Sequence, residues 1–393
     1  MTPQLLLYNV ICVGFLLFSL ISFVNPVKVN NIANRWFSLF LFSVGCSLLN
    51  VIIYEAKAER SYTQLIAFNE LSRFAMAPAL YLSILHFTSP HKAFKRQEYL
   101  HFMPFLLFFC FIAPVAFMAG GSTWVNTRVL PSVINTIMAF TMFVSIKAQM
   151  LIYWILAWRK LKQHEKNIRV INSNTGEVSL NWLKYLLLGI AFMLAIWYVS
   201  IFLQLGFMRI YAPIGYLAGS LFIFYFLLAQ KEIYPFDEPD LEDISTIIKE
   251  KSENNAMRKR VPDERSNELK NKLEHLMQNE KLYLDNELSL PQLAREMAVS
   301  THELSYLLNE NFGINFFQFV NKYRVEEVKR LMLSEKHRHL NILGIAFSAG
   351  FNSKTTFNTT FKKETGIAPS QFMQHAKTQG VAQATGSVNT LFN

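Results

Sequence analysis

The sequence predicts an all-α chain, a polytopic seven-helix membrane bundle followed by a soluble domain of two helix-turn-helix units. The first observation is an apolar content of 52% over 393 residues, too high for a soluble two-domain protein. The second is the crowding of those residues into seven long apolar stretches within residues 1–231. The third is a change of period beyond residue 269, where apolar residues recur at i, i+3 and i+4 in short runs punctuated by glycine.

The apolar stretches are 5–24, 36–54, 65–87, 100–119, 131–158, 182–206 and 211–230. Each reaches the ~20 residues that a hydrocarbon core of ~30 Å takes. The opening MTPQLLLYNV has no basic n-region and no small-residue cleavage site, so the first stretch reads as a span and not a signal peptide. Charge in the loops sets the orientation. Odd loops carry Lys28 and Arg35, then Lys92, Lys95 and Arg96, then Arg159, Lys160, Lys162, Lys166 and Arg169. Even loops carry Lys57 and Arg60 against Glu55 and Glu59, then Arg128, then Arg209. The positive-inside rule therefore puts the N-terminus outside and the C-terminus in the cytoplasm, as in a multi-pass protein of the bacterial inner (cytoplasmic) membrane.

The net charge of +10 is unevenly placed. Residues 1–231 hold 18 Lys/Arg against 6 Asp/Glu, 232–268 hold 6 against 11, and 269–393 hold 14 against 11. The basicity thus belongs to loops facing anionic lipid, and the last domain is only mildly basic. Cys12, Cys46 and Cys110 all fall within spans, which suggests neither a disulfide nor a metal site. With no nucleophile–base pair, metal-ligand cluster or phosphate loop, the chain reads as non-enzymatic, with no catalytic residues, metal or cofactor.

Four segments follow: 1–231 as a seven-span membrane sensor domain, 232–268 as an acidic cytoplasmic linker, 269–377 as a double helix-turn-helix domain, and 378–393 as a disordered polar tail. Glu232, Asp237, Glu238, Asp240, Glu242 and Asp243 open the linker, and their charge pushes it from both lipid headgroups and phosphates. As a flexible coil it spans roughly 35 Å. Residues 244–248 hold one amphipathic turn that could pair between protomers.

Ionisable groups within spans are costly and face the bundle interior. Glu70 and Arg73 share a helical face at i, i+3, Lys147 lies near the middle of the fifth span, and Pro78 kinks the third. Paired charges that merely hold helices together account for these residues. A ligand pocket in the outer half of the bundle accounts for them equally. It would be lined by Glu70, Arg73, Lys147, Tyr198 and Gln204, with one uncompensated cation to receive a small anionic ligand. A retinal-type Schiff base on Lys147 is disfavoured, since the last span has no lysine.

In the last domain, Leu293, Ala294 and Met297 form the inner face of one short helix, and Leu304 and Leu308 that of the next. Ser300-Thr301-His302-Glu303 is a capping box, and the outward face holds His302, Ser305, Tyr306 and Asn309. Residues 316–333 form one long helix of about 27 Å, close to the ~34 Å between successive major grooves on one DNA face. Beyond it Ile342, Ile345, Ala346 and Ala349 line a short helix, Gly350 permits a left-handed turn, and Ser353 caps a second helix. There Phe357 and Phe361 point inward while Thr355, Asn358, Thr359 and Lys362 share the exposed face. An outer face built for solubility alone would more often carry Glu and Lys pairs.

Residues 269–377 resemble the DNA-binding domain of the AraC family of bacterial transcription regulators. The resemblance rests on Leu293-Ala294, Ser300, Leu304, Gly313, Phe319, Arg324, Ile345-Ala346, Gly350-Phe351, Ser353, Phe357, Phe361-Lys362, Gly366 and Pro369-Ser370. It implies sequence-specific binding to double-stranded promoter DNA, usually as an activator; RNA polymerase and a homodimer are further candidate partners. By family position the base-reading residues fall on His302, Ser305 and Tyr306, then on Lys354, Thr355, Asn358 and Thr359. Where the family often has Arg, this chain has Tyr306. The membrane half resembles the sensor half of membrane-bound AraC-type regulators at Pro78-Ala79-Leu80-Tyr81, Gln149, Tyr153 and Trp182-Leu183.

The expected function is a membrane-embedded one-component transcription regulator that senses a signal through its bundle, in contact with membrane lipid. A transporter reporting solute through its tail, and an anchored regulator released by proteolysis, are the alternatives.

Overall fold

Apolar residues at helical spacing become helices, and helices make up almost the whole fold. The computed structural model describes residues 3–59, 61–90, 96–118, 132–174, 180–203, 208–230, 233–234, 236, 238–252, 263–334, 337 and 339–375. The chain divides into two units, Met1–Gln163 with Leu180–Ile233, and His164–Ser179 with Tyr234–Asn393.

The first unit contains α1 (Pro3–Val24), α2 (Asn31–Glu55), α3 (Thr63–Phe87), α4 (Met103–Met118), α5 (Ser132–Ile171), α6 (Asn181–Leu203) and α7 (Met208–Leu228). The last turns of α5, from His164, belong to the second unit. Helix α1 packs on α2 and α7, α2 on α3, α3 on α4, and α6 on α7. Small and hydroxylated residues let α1 and α2 approach closely. Ser19 donates to the Ser38 carbonyl at 2.9 Å, Ser38 to the Ser19 carbonyl at 2.8 Å, and Ser22 to the Asn34 carbonyl at 2.9 Å. A Cβ on Gly45 would lie 2.7 Å from Leu16 Cδ2. Such close approach and interhelical hydrogen bonding hold helices together where both surroundings and side chains are apolar. Asn34 and Gln230 exchange amide hydrogen bonds of 2.9 and 3.1 Å, tying α2 to the residues after α7.

Three helices among the described residues are long and apolar enough to cross a membrane: Pro3–Val24, Asn31–Glu55 and Phe140–Ile171. Asn181–Ala195 and Pro213–Leu228 are shorter apolar helices, and α4 has 16 residues. Helix α3 has the length, with 25 residues, but Asn69, Glu70, Ser72 and Arg73 lower its hydropathy. The seven expected spans thus coincide with seven helices, of which these three satisfy length and composition together.

Pro78 stands inside α3, where its missing N–H leaves the Phe74 carbonyl without an intrahelical donor. Gln149 of α5 supplies the replacement, its Nε2 donating to that carbonyl at 3.0 Å. Trp182, at the start of α6, meets Phe37 of α2, Phe87 of α3 and Phe226 of α7 at centroid distances of 5.7, 5.8 and 5.9 Å. Pro78, Gln149 and Trp182 therefore act in helix packing.

The second unit contains α8 (Glu238–Ser252), α9 (Asp263–His275), α10 (Leu290–Met297), α11 (Thr301–Phe312), α12 (Phe316–Leu333), α13 (Ile342–Ser348) and α14 (Lys354–Thr365). Helix α12 has the expected limits, and Asn315 with Gln318 forms a capping box at its start. Its Val325, Val328 and Leu331 share one core with Ile345, Ala346, Phe351, Phe357 and Phe361. The acidic stretch departs from the coil expected of it. Residues 238–252 are helical, with Leu241, Ile244 and Ile247 buried, and α8 packs on α11 within the same chain. An apolar edge at i, i+3 and i+6 outweighs the acidic charge that favours extension. Residues 378–393 lie outside the described residues.

Candidate nucleic-acid interface

Ser289 starts α10 by accepting the Gln292 N–H at 3.4 Å, and Ala298 ends it in the left-handed region at φ 55°. Ser300 starts α11 by accepting the Glu303 N–H at 3.1 Å. The Glu303 carboxylate reaches Arg265 at 2.9 Å, so it ties α9 to α11. Leu293, Ala294, Met297, Leu304 and Leu308 are all buried, as their spacing requires.

In the second pair, Asn341 starts α13 by accepting the Gly344 N–H at 2.7 Å, and Ser353 starts α14 by accepting the Thr356 N–H at 3.4 Å. Phe357 stacks edge-on against Phe361 and Phe351, with centroids 5.7 and 5.3 Å apart. These rings fix the inner face of α14. Lys354, Thr355, Asn358, Thr359 and Lys362 are consequently exposed together on its outer face.

The joint between the two pairs is a buried arginine. Arg324 of α12 is fully buried, and every nitrogen of its guanidinium donates. Nε reaches the Tyr283 carbonyl at 2.7 Å, Nη2 the Asp285 carbonyl at 2.6 Å and Ser173 Oγ at 3.0 Å, and Nη1 the Ser173 carbonyl at 3.3 Å. Phe351 lies 5.9 Å beneath the guanidinium. Gly350, at φ 91°, brings its backbone against the same place: a Cβ there would collide with the Tyr283 carbonyl and sit 3.0 Å from Arg324 Nε. The Ser173 segment enters this unit from the end of α5, and its backbone N–H also donates to the Leu288 carbonyl at 3.3 Å. Sequence reading placed Arg324 in the domain but missed its partners. Further along α12, Arg330 forks onto Glu327 at 2.6 and 2.9 Å and holds that carboxyl below its ordinary range. Burial, with Glu327 beside it, pushes the Tyr283 phenol up to about 12.

The outward face expected on α11 is not open. His302 is partly buried and Asn309 exposed, but Ser305 and Tyr306 are 2% and 8% exposed. This corrects the expectation that both face outward. Helix α8 packs on α11, and its Asp240 accepts from Arg295 Nη1 at 2.6 Å and from the Thr301 hydroxyl at 3.1 Å. Asp243 accepts the His302 N–H at 3.4 Å. Asp240, Asp243 and Arg295 were not among the expected site residues. Their signal was the i, i+3 spacing of acids beside apolar residues at 241, 244 and 247.

In the first unit, Arg73 donates to Glu70 at 2.8 Å and Asn50 of α2 donates to the other Glu70 oxygen at 2.8 Å. Asn69 in turn donates to Asn50 at 2.8 Å. Lys147 lies on α5. Gln204 and the Tyr198 side chain lie outside the described residues.

Residues 293–375 match a family described as a helix-turn-helix domain. The chain is similar to an uncharacterized HTH-type transcriptional regulator of Staphylococcus aureus strain COL, 33% identical over 91 residues, or 23% of this chain and 12% of that protein. The counterpart in strain N315 matches to the same extent, 33% over 91 residues. The arabinose operon regulatory protein of Salmonella typhimurium is 26% identical over 88 residues, 22% of this chain and 30% of that protein. The chain thus spans about an eighth of the length of the staphylococcal relatives it matches. No solved structure matches.

Proposed function

We infer that the chain is a membrane-embedded, one-component transcription regulator that binds promoter DNA through its helix-turn-helix units and senses a signal through its apolar helices. The observation that carries this is the outer face of α14. Ammonium, hydroxyl and amide groups on Lys354, Thr355, Asn358, Thr359 and Lys362 stand exposed together, on a helix held from behind by Phe357 and Phe361. Amides such as Asn358 pair with base edges, and lysines near a helix end pair with phosphate. Asn358→Ala is expected to lose on the order of 1–3 kcal/mol on a selected duplex while sparing random DNA. Lys362→Ala weakens both duplexes alike and reduces the salt slope by about one unit. Titration of the reconstituted protein with both duplexes checks this, and equal losses from Asn358→Ala on the two would remove α14 as a base reader.

The apolar half supports a sensor role through Glu70 and Arg73, which are hydrogen-bonded to each other and to Asn50 between helices. In this reading Arg73 partners an anionic ligand and Glu70 orients it, with Lys147, Tyr198 and Gln204 as further candidate contacts. Arg73→Gln then gives a membrane-inserted protein that no longer responds. Reporter output, normalised to protein in the membrane, measures this, and an unchanged response makes the pair structural.

A further inference from the structure

We propose that α8 is an autoinhibitory helix, an acidic surrogate for the DNA backbone that closes the first helix-turn-helix unit while the second stays open. The inference rests on the reading of α11 as a DNA-facing helix. Three kinds of donor usually receive a phosphate at such a helix: a guanidinium, a hydroxyl and a backbone N–H at the helix N-terminus. All three are taken here by carboxylates of one helix. Asp240 holds Arg295 and Thr301, and Asp243 holds the His302 N–H. The helix carrying them has five acidic side chains against two lysines. A duplex approaching α11 therefore meets like charge where it needs donors.

The occlusion is steric as well. Thr301, His302, Ser305 and Asn309 lie along one side of α11, with Tyr306 beside them. The bonds from Asp240 and Asp243 place α8 on that side. Leu241, Ile244 and Ile247 are buried along the edge of α8, and Ser305 and Tyr306 are buried on α11. Among the described residues the corresponding face of α14 carries no such cover, since Lys354, Thr355, Asn358, Thr359 and Lys362 are all exposed.

The two helix-turn-helix units are thus unequally available, and the difference lies in a segment that follows α7 in sequence after residues 229–237. A signal that favours the state with α8 displaced gains a second half-site. It acts through differential affinity, as any ligand must. Asp240 and Asp243 weaken competing DNA contacts by charge, and Leu241, Ile244 and Ile247 hold the helix in place by burial.

The test compares the full chain in phospholipid nanodiscs with Asp240→Asn/Asp243→Asn, which keeps side-chain size, and with Ile244→Ser/Ile247→Ser, which loosens the helix. A randomised duplex pool of roughly 40 bp, long enough for two half-sites, supplies the probe by selection on the loosened variant. Footprinting then reads extent and affinity together. The parent is expected to protect one half-site. Both variants should extend protection by about one helical turn, ~10 bp, and bind at least about tenfold more tightly. Retention of the α14 half-site in the same footprint shows that each variant is folded. Parent and variants protecting the same two half-sites with affinities within about twofold would overturn the autoinhibitory role alone. Failure of all three proteins to protect any duplex would overturn it together with the DNA-binding reading beneath it.

Discussion

Gly350→Ala lowers the stability of the C-terminal unit by roughly 2–5 kcal/mol, from backbone strain and overpacking together. At φ 91° an L side chain is strained whatever the space around it, and here there is no space. The new Cβ meets the Tyr283 carbonyl, which is fixed because Arg324 Nε donates to it at 2.7 Å. Relief would have to move the loop 283–285, and that loop anchors two of the arginine's bonds. Gly313 and Gly366 provide the control. Their φ values are 64° and 80°, yet a Cβ on either finds nothing within 4 Å. Alanine at those positions costs backbone strain alone, on the order of 1–3 kcal/mol. Limited proteolysis across a urea series, in detergent, reads the midpoint of this unit for each variant. Equal midpoints for Gly350→Ala and Gly313→Ala would show that the loop yields and that the contact is soft.

Arg324→Lys is expected to cost a similar amount, roughly 2–5 kcal/mol, although the charge is kept. A lysine ammonium is a compact point donor and cannot fork among the Tyr283, Asp285 and Ser173 carbonyls at once. At least one buried acceptor is left without a partner, at ~1–3 kcal/mol each. Ser173→Ala removes only the hydroxyl and should cost about 1 kcal/mol. Because Gly350 and Arg324 press on the same carbonyl, the double variant is expected to lose less than the sum of the singles. Strict additivity in the same proteolysis series would mean that the two act independently.

Much of the C-terminal fold was legible because its information is local. Apolar residues at helical spacing, with Asn315 and Leu333 at the margins, give α12 its limits, and Ser353 with Phe357 and Phe361 gives α14 its exposed face. What the sequence hid was long-range. Arg324 finds Ser173 across 151 positions, and no periodicity reports such a bond. Gln149 replaces the donor that Pro78 lacks from 75 positions away, counted to the Phe74 carbonyl. Ser305 and Tyr306 were placed outward because their own helix leaves that side free. Helix α8, read from its charge as a coil, packs against α11. In the apolar half, hydrophobic length marked where helices lie. The residues that make α3 useful inside a bundle also lower its hydropathy.

The bond between Ser173 and Arg324 has a consequence for biosynthesis. Ser173 leaves the ribosome 151 residues before Arg324 does, with α6 and α7 made in the interval. At ~5–20 residues per second, that is a wait of about 8–30 s. The arginine socket is therefore completed only in a chain whose loop after α5 is already in place. A product that begins beyond residue 179, or a fragment severed between residues 235 and 262, carries Arg324 without that part of its socket. The bond thereby ties α12 to the segment that follows α5, so the folded state of one depends on the presence of the other.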